Sequence, residues 1–101
     1  MKLKDRALMA IERAYYFMDH YRLVKIGETL EKWEKKGYLN ALALIIRHPK
    51  LYAEVAYSVE RHGNVSELHQ AQDGIFTVVY SNGHEDYLLA DGRQAFRRRA
   101  A

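Results

Sequence analysis

Apolar residues in the N-terminal part of the chain recur at three- and four-residue steps, the spacing of one face of a helix. The pattern predicts an amphipathic helix over residues 3–18 and a second over about 21–36. A run that is apolar nearly all round predicts a short buried helix over 41–47. Pro49 favours the start of a fourth helix, because proline is well tolerated at the first helical position. Residues 1–62 are therefore predicted to be helical.

The pattern changes to that of β-strands after residue 65. Two dipeptides, Asp73-Gly74 and Asn82-Gly83, lie nine residues apart between segments of strand composition. Such dipeptides are typical of two-residue type I′ hairpin turns, because both central residues of these turns need positive φ. The sequence therefore predicts a three-stranded antiparallel meander over residues 66–90.

Turn length decides which side chains share a face of the sheet. With two-residue turns, Gln72 pairs with Ile75 and Ser81 pairs with His84. One face then combines the following residues: Phe76, Val78, Tyr80, Leu89, Tyr87, Glu85, Ala71 and His69. This face is the more apolar one, and we predict that it packs against the helices.

These elements predict a single α+β domain over residues 1–101, a normal length for one hydrophobic core. Three or four N-terminal helices in 1–62 pack on the C-terminal three-stranded antiparallel meander in 66–90. Residues 91–101 are predicted to form a short C-terminal helix and a basic tail.

Composition limits the cellular setting. The chain has no cysteine, so disulfides and thiolate metal sites are excluded. The longest apolar run, Ala41 to Ile46, is far shorter than the roughly 20 residues of a membrane-spanning helix. The first residues lack the pattern of a signal peptide, since Glu12 interrupts the uncharged stretch. We therefore expect a cytoplasmic protein with no membrane contact.

Charge is unevenly distributed along the chain. Residues 1–62 hold twelve Lys or Arg against eight Asp or Glu, a net charge of +4. Residues 63–96 hold one Arg against five acidic residues, a net charge of −4, and Arg97, Arg98 and Arg99 follow. Basic surfaces favour nucleic acid or acidic proteins as partners. The three arginines are thus candidate contacts for either kind of partner.

No motif in the sequence indicates catalysis or a cofactor. The five histidines include no H-x-x-x-H pair, and no G-x-S-x-G motif or glycine-rich phosphate loop is present. The segment His84-Glu85-Asp86 is rich in metal ligands, but neighbouring strand residues point to opposite faces of the sheet. We predict no catalytic residue, no metal site and no cofactor.

Aromatic residues supply the candidate partner contacts. The chain has eight tyrosines and one tryptophan, residue types that are enriched at protein interfaces. Most tyrosines are expected to be ordinary half-buried core residues. Tyr16, Tyr21, Trp33 and Tyr57 are the predicted contacts to a protein partner.

The favoured interpretation is a small interaction or regulatory protein that acts by protein–protein binding and forms a homo-oligomer, expected to be a dimer. Small size, absence of cofactor motifs, and the split charge all fit this class. They equally fit an inhibitor carried by a phage or other mobile element.

Two alternatives stay open at this level. Three helices followed by a β-hairpin resembles the element order of a winged-helix domain, which implies a nucleic-acid-binding regulator that uses Arg97–Arg99. The acidic hairpin tip, residues 81–86, argues against it because it would repel phosphate. The third interpretation is a small-ligand domain or enzyme with a pocket around His69, Tyr80 and Tyr87.

Overall fold

A computed structural model describes residues 1–15 and 18–95 of the chain. Along this part, four helices come first: α1 (Leu3–Ala14), α2 (His20–Lys35), α3 (Leu39–Arg47) and α4 (Tyr52–His62), which follows a 3₁₀ turn at Pro49–Leu51. Three strands come next, β1 (Val65–Gln70), β2 (Phe76–Tyr80) and β3 (Glu85–Leu88), in an antiparallel sheet of order β1-β2-β3. The predicted α+β class, helices before meander, is confirmed. None of the helices in this part of the chain is long and apolar enough to span a membrane.

The first two helices are separate elements. α1 ends at Ala14, four residues earlier than predicted, and α2 begins at His20. Asp19 fixes the start of α2, because its side chain accepts a hydrogen bond of 2.8 Å from the backbone N–H of Arg22. This is the usual way in which an N-cap residue satisfies a free N–H group of the first turn.

The hydrophobic core lies between the helices and one face of the sheet. α1 packs on α2 and α3, while α3 contacts β1 and α4 contacts β2. The largest fully buried side chains come from both layers: Ile11, Leu30, Leu42, Ile45, Leu51, Val55, Val78, Tyr80 and Leu88. The sheet therefore has an inner face against the helices and an outer face turned away from them.

Both hairpin turns have three residues instead of the predicted two. The N–H of Ala71 donates to the carbonyl of Ile75, and the N–H of Gly74 donates to the carbonyl of Ala71. Tyr80 and His84 close the second turn in the same way. No described residue other than glycine has a positive φ, so neither turn is type I′. Each is instead a type I turn followed by a glycine in the left-handed region, which forms a bulge.

The same turn occurs a third time at Asp91-Gly92, so the three turns repeat every nine residues. In all three, the Asp or Asn side chain accepts a hydrogen bond from the backbone N–H two residues later. After the third turn the chain runs back along β3, where Gln94 pairs with Leu88. Residues 91–95 thus form a turn and a strand-like contact, not the start of the predicted helix. The rest of that predicted segment lies outside the described residues.

The extra turn residue shifts each strand pairing by one position. Phe76 of β2 pairs with Gln70 of β1 and with Leu88 of β3. With two-residue turns, its partners would be Ala71 and Leu89. A one-residue shift moves every side chain of a strand to the other face. The predicted inner face of β2 is confirmed, since all three of its residues are buried: Phe76, Val78 and Tyr80. The predicted faces of β1 and β3 are wrong for this reason.

Candidate partner-binding site

A groove of about 510 Å³ separates α2 from α4. α2 packs on α1 and α3, while α4 packs on α3 and on β2 of the sheet. The groove is lined from the α2 side by Thr29, Lys32, Trp33, Lys36 and Tyr38, and from the α4 side by Ala53, Ala56, Tyr57, Val59 and Glu60. We call this the α2–α4 groove.

The α2 wall of this groove is basic. Lys25, Lys32 and Lys36 lie seven and four residues apart, which places them along one side of the helix. Lys32 and Lys36 are exposed and line the groove. The ammonium group of Lys36 lies 5.7 Å from the ring centre of Tyr38, within the range of a cation–π contact. The wall therefore offers cations beside an aromatic ring.

The α4 wall combines an exposed aromatic ring, stacked with a guanidinium group, and a carboxylate. Tyr57 is 58% exposed, and the guanidinium of Arg61 lies 3.5 Å from its ring centre. Arg61 also donates a hydrogen bond of 3.0 Å to the Tyr57 carbonyl, which holds the cation over the ring. Glu60 places a carboxylate on the same wall.

The floor of the groove is apolar. Trp33 and Val59 are 4% and 3% exposed and belong to the core. The ring of Tyr52 lies 6.0 Å from the ring of Trp33, between centres. Burial raises the pKa of the Tyr52 hydroxyl, although a hydrogen bond with Thr29 acts in the other direction.

Of the four aromatic residues predicted to contact a partner, Tyr21 and Tyr57 are largely exposed, and their role stays a prediction. Tyr57 lines the groove, and Tyr21 lies on the Lys25 side of α2, with the two groups 5.6 Å apart. Trp33 is 4% exposed, because it lies three residues after the buried Leu30 and faces the core, but it lines the floor of the groove, so its role as a contact also stays a prediction. Tyr16 lies outside the described residues, as do the three predicted arginine contacts Arg97, Arg98 and Arg99.

The predicted ligand pocket around His69, Tyr80 and Tyr87 is wrong, because the register shift separates its members. His69 and Tyr87 both pair with Thr77 and share the outer face. Tyr80 is 1% exposed on the inner face. His69 instead contacts Glu67, with Nε2 and Oε2 3.1 Å apart. No cavity can join side chains that point to opposite sides of one sheet.

The shift creates a buried polar cluster that sequence analysis missed. Asp86 is 8% exposed on the inner face of β3. Its Oδ2 accepts hydrogen bonds from the hydroxyls of Ser58, at 2.5 Å, and Tyr80, at 2.7 Å. Its Oδ1 lies 3.0 Å from Nε2 of His84. A carboxylate is tolerated at this depth because hydrogen bonds replace the lost water. The two-residue spacing of His84 and Asp86 would have been the signal, had the turn length been known.

Tyr80 is a permanent donor in this cluster. Burial is the largest cause of a strongly raised pKa for its hydroxyl, and the neighbouring Asp86 carboxylate raises that pKa further. Deprotonation would place two negative charges side by side away from water. Tyr80 therefore stays protonated throughout the physiological range and keeps its hydrogen bond to Asp86.

At the rim of the cluster, the rings of His62 and His84 stack with centres 3.8 Å apart. Nδ2 of Asn82 lies 2.9 Å from Nδ1 of His62, and since an amide nitrogen only donates, His62 accepts there. The arrangement differs from a nucleophilic triad, in which histidine lies between serine and aspartate. Here the hydroxyl of Ser58 donates to Asp86 directly, and no histidine lies between them. Among the described residues, no group of three or more His, Asp or Glu could hold a metal ion.

Comparison of the chain with known protein families, with curated proteins and with solved structures finds no match. The geometry of the α2–α4 groove is therefore the basis for assigning a function.

Proposed function

We propose that the chain is a small non-enzymatic interaction protein that binds a polypeptide segment of a partner protein in the α2–α4 groove. One observation carries the proposal. Lys32 and Lys36 face Glu60 across an apolar floor, beside the exposed ring of Tyr57. Aromatic residues next to a buried floor commonly provide much of the binding energy at protein interfaces.

The mixed charges of the groove favour a polypeptide over a nucleic acid. A phosphate backbone would gain contacts with Lys32 and Lys36 but would meet the carboxylate of Glu60. A polypeptide can place acidic side chains against α2 and a basic side chain against Glu60, which fixes its orientation. The small side chains of Ala53 and Ala56 leave room for close approach. We therefore expect the partner segment to be an amphipathic helix with an acidic edge, laid between α2 and α4.

Binding of single-stranded nucleic acid is the second candidate. The observation that favours it is the row of Lys25, Lys32 and Lys36 along one side of α2, near the aromatic rings of Tyr21 and Tyr38. Cations that follow a backbone, with rings on which bases stack, are typical of such sites.

Photo-crosslinking tests the first candidate. A photoreactive phenylalanine analogue at position 57 captures whatever lies in the groove in lysate from the native cells, and mass spectrometry identifies the attached segment. That segment is then made as a peptide and titrated into ¹⁵N-labelled protein. We expect shifts in the amide signals of α2 and α4, and loss of binding in the double variant Lys32→Glu with Lys36→Glu.

The matched control is the double variant Arg6→Glu with Arg13→Glu, which makes the same charge change on exposed positions of α1. It should bind the peptide as the natural chain does. If both double variants bind equally well, the groove is not the site. A labelled single strand whose binding weakens steeply with salt, and depends on Lys32 and Lys36, would instead support nucleic-acid binding.

A further inference from the structure

Strand β1 forms a free edge of the sheet. Among residues 1–15 and 18–95, the strand order β1-β2-β3 leaves β1 with one neighbour, while the far side of β3 is partly covered where Leu88 pairs with Gln94. Exposed edges are usually protected by proline, lysine, short strand length, a β-bulge or a covering helix. β1 is six residues long and contains neither proline nor lysine. Its pairing with β2 is irregular between Val65 and Glu67, where Asn40 of α3 donates to the Val65 carbonyl, and regular from Glu67 to Gln70. Residues 67–70 are therefore available to a further strand.

The first turn determines which residues of β1 direct their backbone groups to this edge. Ala71 donates its N–H to the Ile75 carbonyl across the turn. Every second residue of β1 counted back from Ala71, namely His69 and Glu67, therefore also directs its N–H and C=O groups towards β2. Positions alternate in an antiparallel ladder, so Leu68 and Gln70 turn their N–H and C=O groups outward. Within the described part of the chain, no strand pairs with them.

The side chains of β1 have a symmetric charge pattern. Glu67 and His69 flank Leu68 on the outer face, and both are largely exposed, with side-chain exposures of 62% and 65%. Leu68 thus has an acidic residue on one side along the strand and a histidine on the other. A strand of this kind can pair with a copy of itself so that unlike groups lie opposite each other.

We propose that two copies of the chain pair through β1, antiparallel and about a two-fold axis at Leu68, to form one continuous six-stranded sheet. In this register Glu67 lies opposite the partner's His69, and the symmetry repeats the contact. Both contacts fall at non-hydrogen-bonded positions, where facing side chains come closest. A register centred on Glu67 or His69 would place identical residues opposite each other. The charge pattern therefore selects Leu68 as the centre.

The surroundings of β1 leave room for the second strand. A groove of about 300 Å³ runs between β1 and α3, lined on the helix by Asn40, Ala43, Leu44 and Arg47. Leu68, half-buried at the edge of the core, would be covered on its open side by the partner's Leu68. The α2–α4 groove shares no lining residue with this edge, so dimerisation and partner binding are separable.

Complementary charge variants test the register. Glu67→Lys places Lys opposite the partner's His69, and His69→Glu places Glu opposite the partner's Glu67. By sedimentation equilibrium, each variant alone should dimerise about tenfold more weakly than the natural chain. An equimolar mixture should regain the natural affinity, because unlike charges face each other at both positions of the mixed dimer. Glu12→Lys, an equal charge change on α1, should have no effect.

Disulfide crosslinking tests the axis directly, since the natural chain has no cysteine. Residues opposite each other at a hydrogen-bonded position lie about 5.5 Å apart between Cα atoms, within disulfide range. Oxidised Leu68→Cys should crosslink to a covalent dimer. The control Ser66→Cys should not, because its two copies lie far apart in this register.

Three results would overturn the proposal. The first is a monomer at every protein concentration in sedimentation equilibrium. The second is a dimer that the Glu67→Lys and His69→Glu mixture does not restore. The third is a dimer that survives Gln70→Pro, which removes an outward N–H from the edge without touching the core. The Lys32→Glu, Lys36→Glu variant should still dimerise, so a failure of the groove proposal would leave this result intact.

Discussion

Ser58 on α4 and Asp86 on β3 are joined by a hydrogen bond of 2.5 Å from hydroxyl to carboxylate, within the buried layer between helix and sheet. The bond links the inner face of the third strand to the last helix. Tyr80 shares the same carboxylate oxygen. The packing of α4 on the sheet therefore depends on a polar contact as well as on apolar burial.

Asp86→Ala should destabilise the fold by about 3 kcal/mol, because it leaves the hydroxyls of Ser58 and Tyr80 buried without an acceptor. Ser58→Ala should cost less, about 1–2 kcal/mol, since Asp86 keeps its other partners. The double variant should cost less than the two single changes together. Urea unfolding measures all three free energies. Equal losses for Asp86→Ala and the exposed control Glu12→Ala would show that the cluster adds no stability.

The raised pKa of Tyr80 predicts a loss of stability at high pH. The folded state keeps the phenol proton at pH values where the unfolded chain loses it, above about 10. The stabilisation is thus complete below that pH and falls as the pH rises. Unfolding free energies between pH 8 and about 11 should decline less steeply for Tyr80→Phe than for the natural chain. Parallel curves for the two proteins would contradict this assignment.

The lowered pKa of His48 predicts a loss of stability at low pH. Burial lowers the pKa of its imidazole, and the nearby Arg47 lowers that pKa further. Its ring lies 4.6 Å from the ring of Phe76, between centres. The unfolded chain therefore binds the proton first, and stability falls as the pH drops below about 6.5.

His48→Gln should flatten this part of the curve in urea unfolding between pH 7 and about 5. The matched control His20→Gln makes the same replacement at an exposed position. A slope that is the same in His48→Gln and the natural chain would rule His48 out as its source.

Alanine substitutions at Gly74 and Gly92 compare the cost of a positive φ alone with the cost of a positive φ plus a steric clash. Both have positive φ, +86° and +92°. A Cβ at Gly74 would meet no atom within 4 Å, whereas one at Gly92 would collide with the carbonyl oxygen of Lys50. Gly74→Ala should cost about 1 kcal/mol, through conformation alone.

Gly92→Ala should cost at least about 1–2 kcal/mol more, because the turn must move away from Pro49–Leu51. Thermal unfolding of the two variants compares them directly. Equal costs would mean that the third turn does not rest on this segment.

The sequence by itself determined the elements and the face of the central strand. Helical periodicity gave four helices within a few residues, and alternation placed Phe76, Val78 and Tyr80 inward. These are local properties, since a helix or strand shows its buried side through the spacing of its own residues. The exposure of Tyr21 and Tyr57 follows from the same spacing.

Only the tertiary structure decided the register. Asp-Gly and Asn-Gly suit a two-residue turn with two positive φ values and also a three-residue turn with glycine alone in that region. The dipeptide alone does not distinguish the two turn lengths. The three-residue turn is favoured because it buries Leu88 and places Asp86 where Ser58 and Tyr80 donate hydrogen bonds to it. That one-residue difference separated His69 and Tyr87 from Tyr80, and left Glu67 and His69 side by side on the free edge of β1. Trp33 was decided in the same way, because the packing of α2 on α1 and α3 turned its ring into the core.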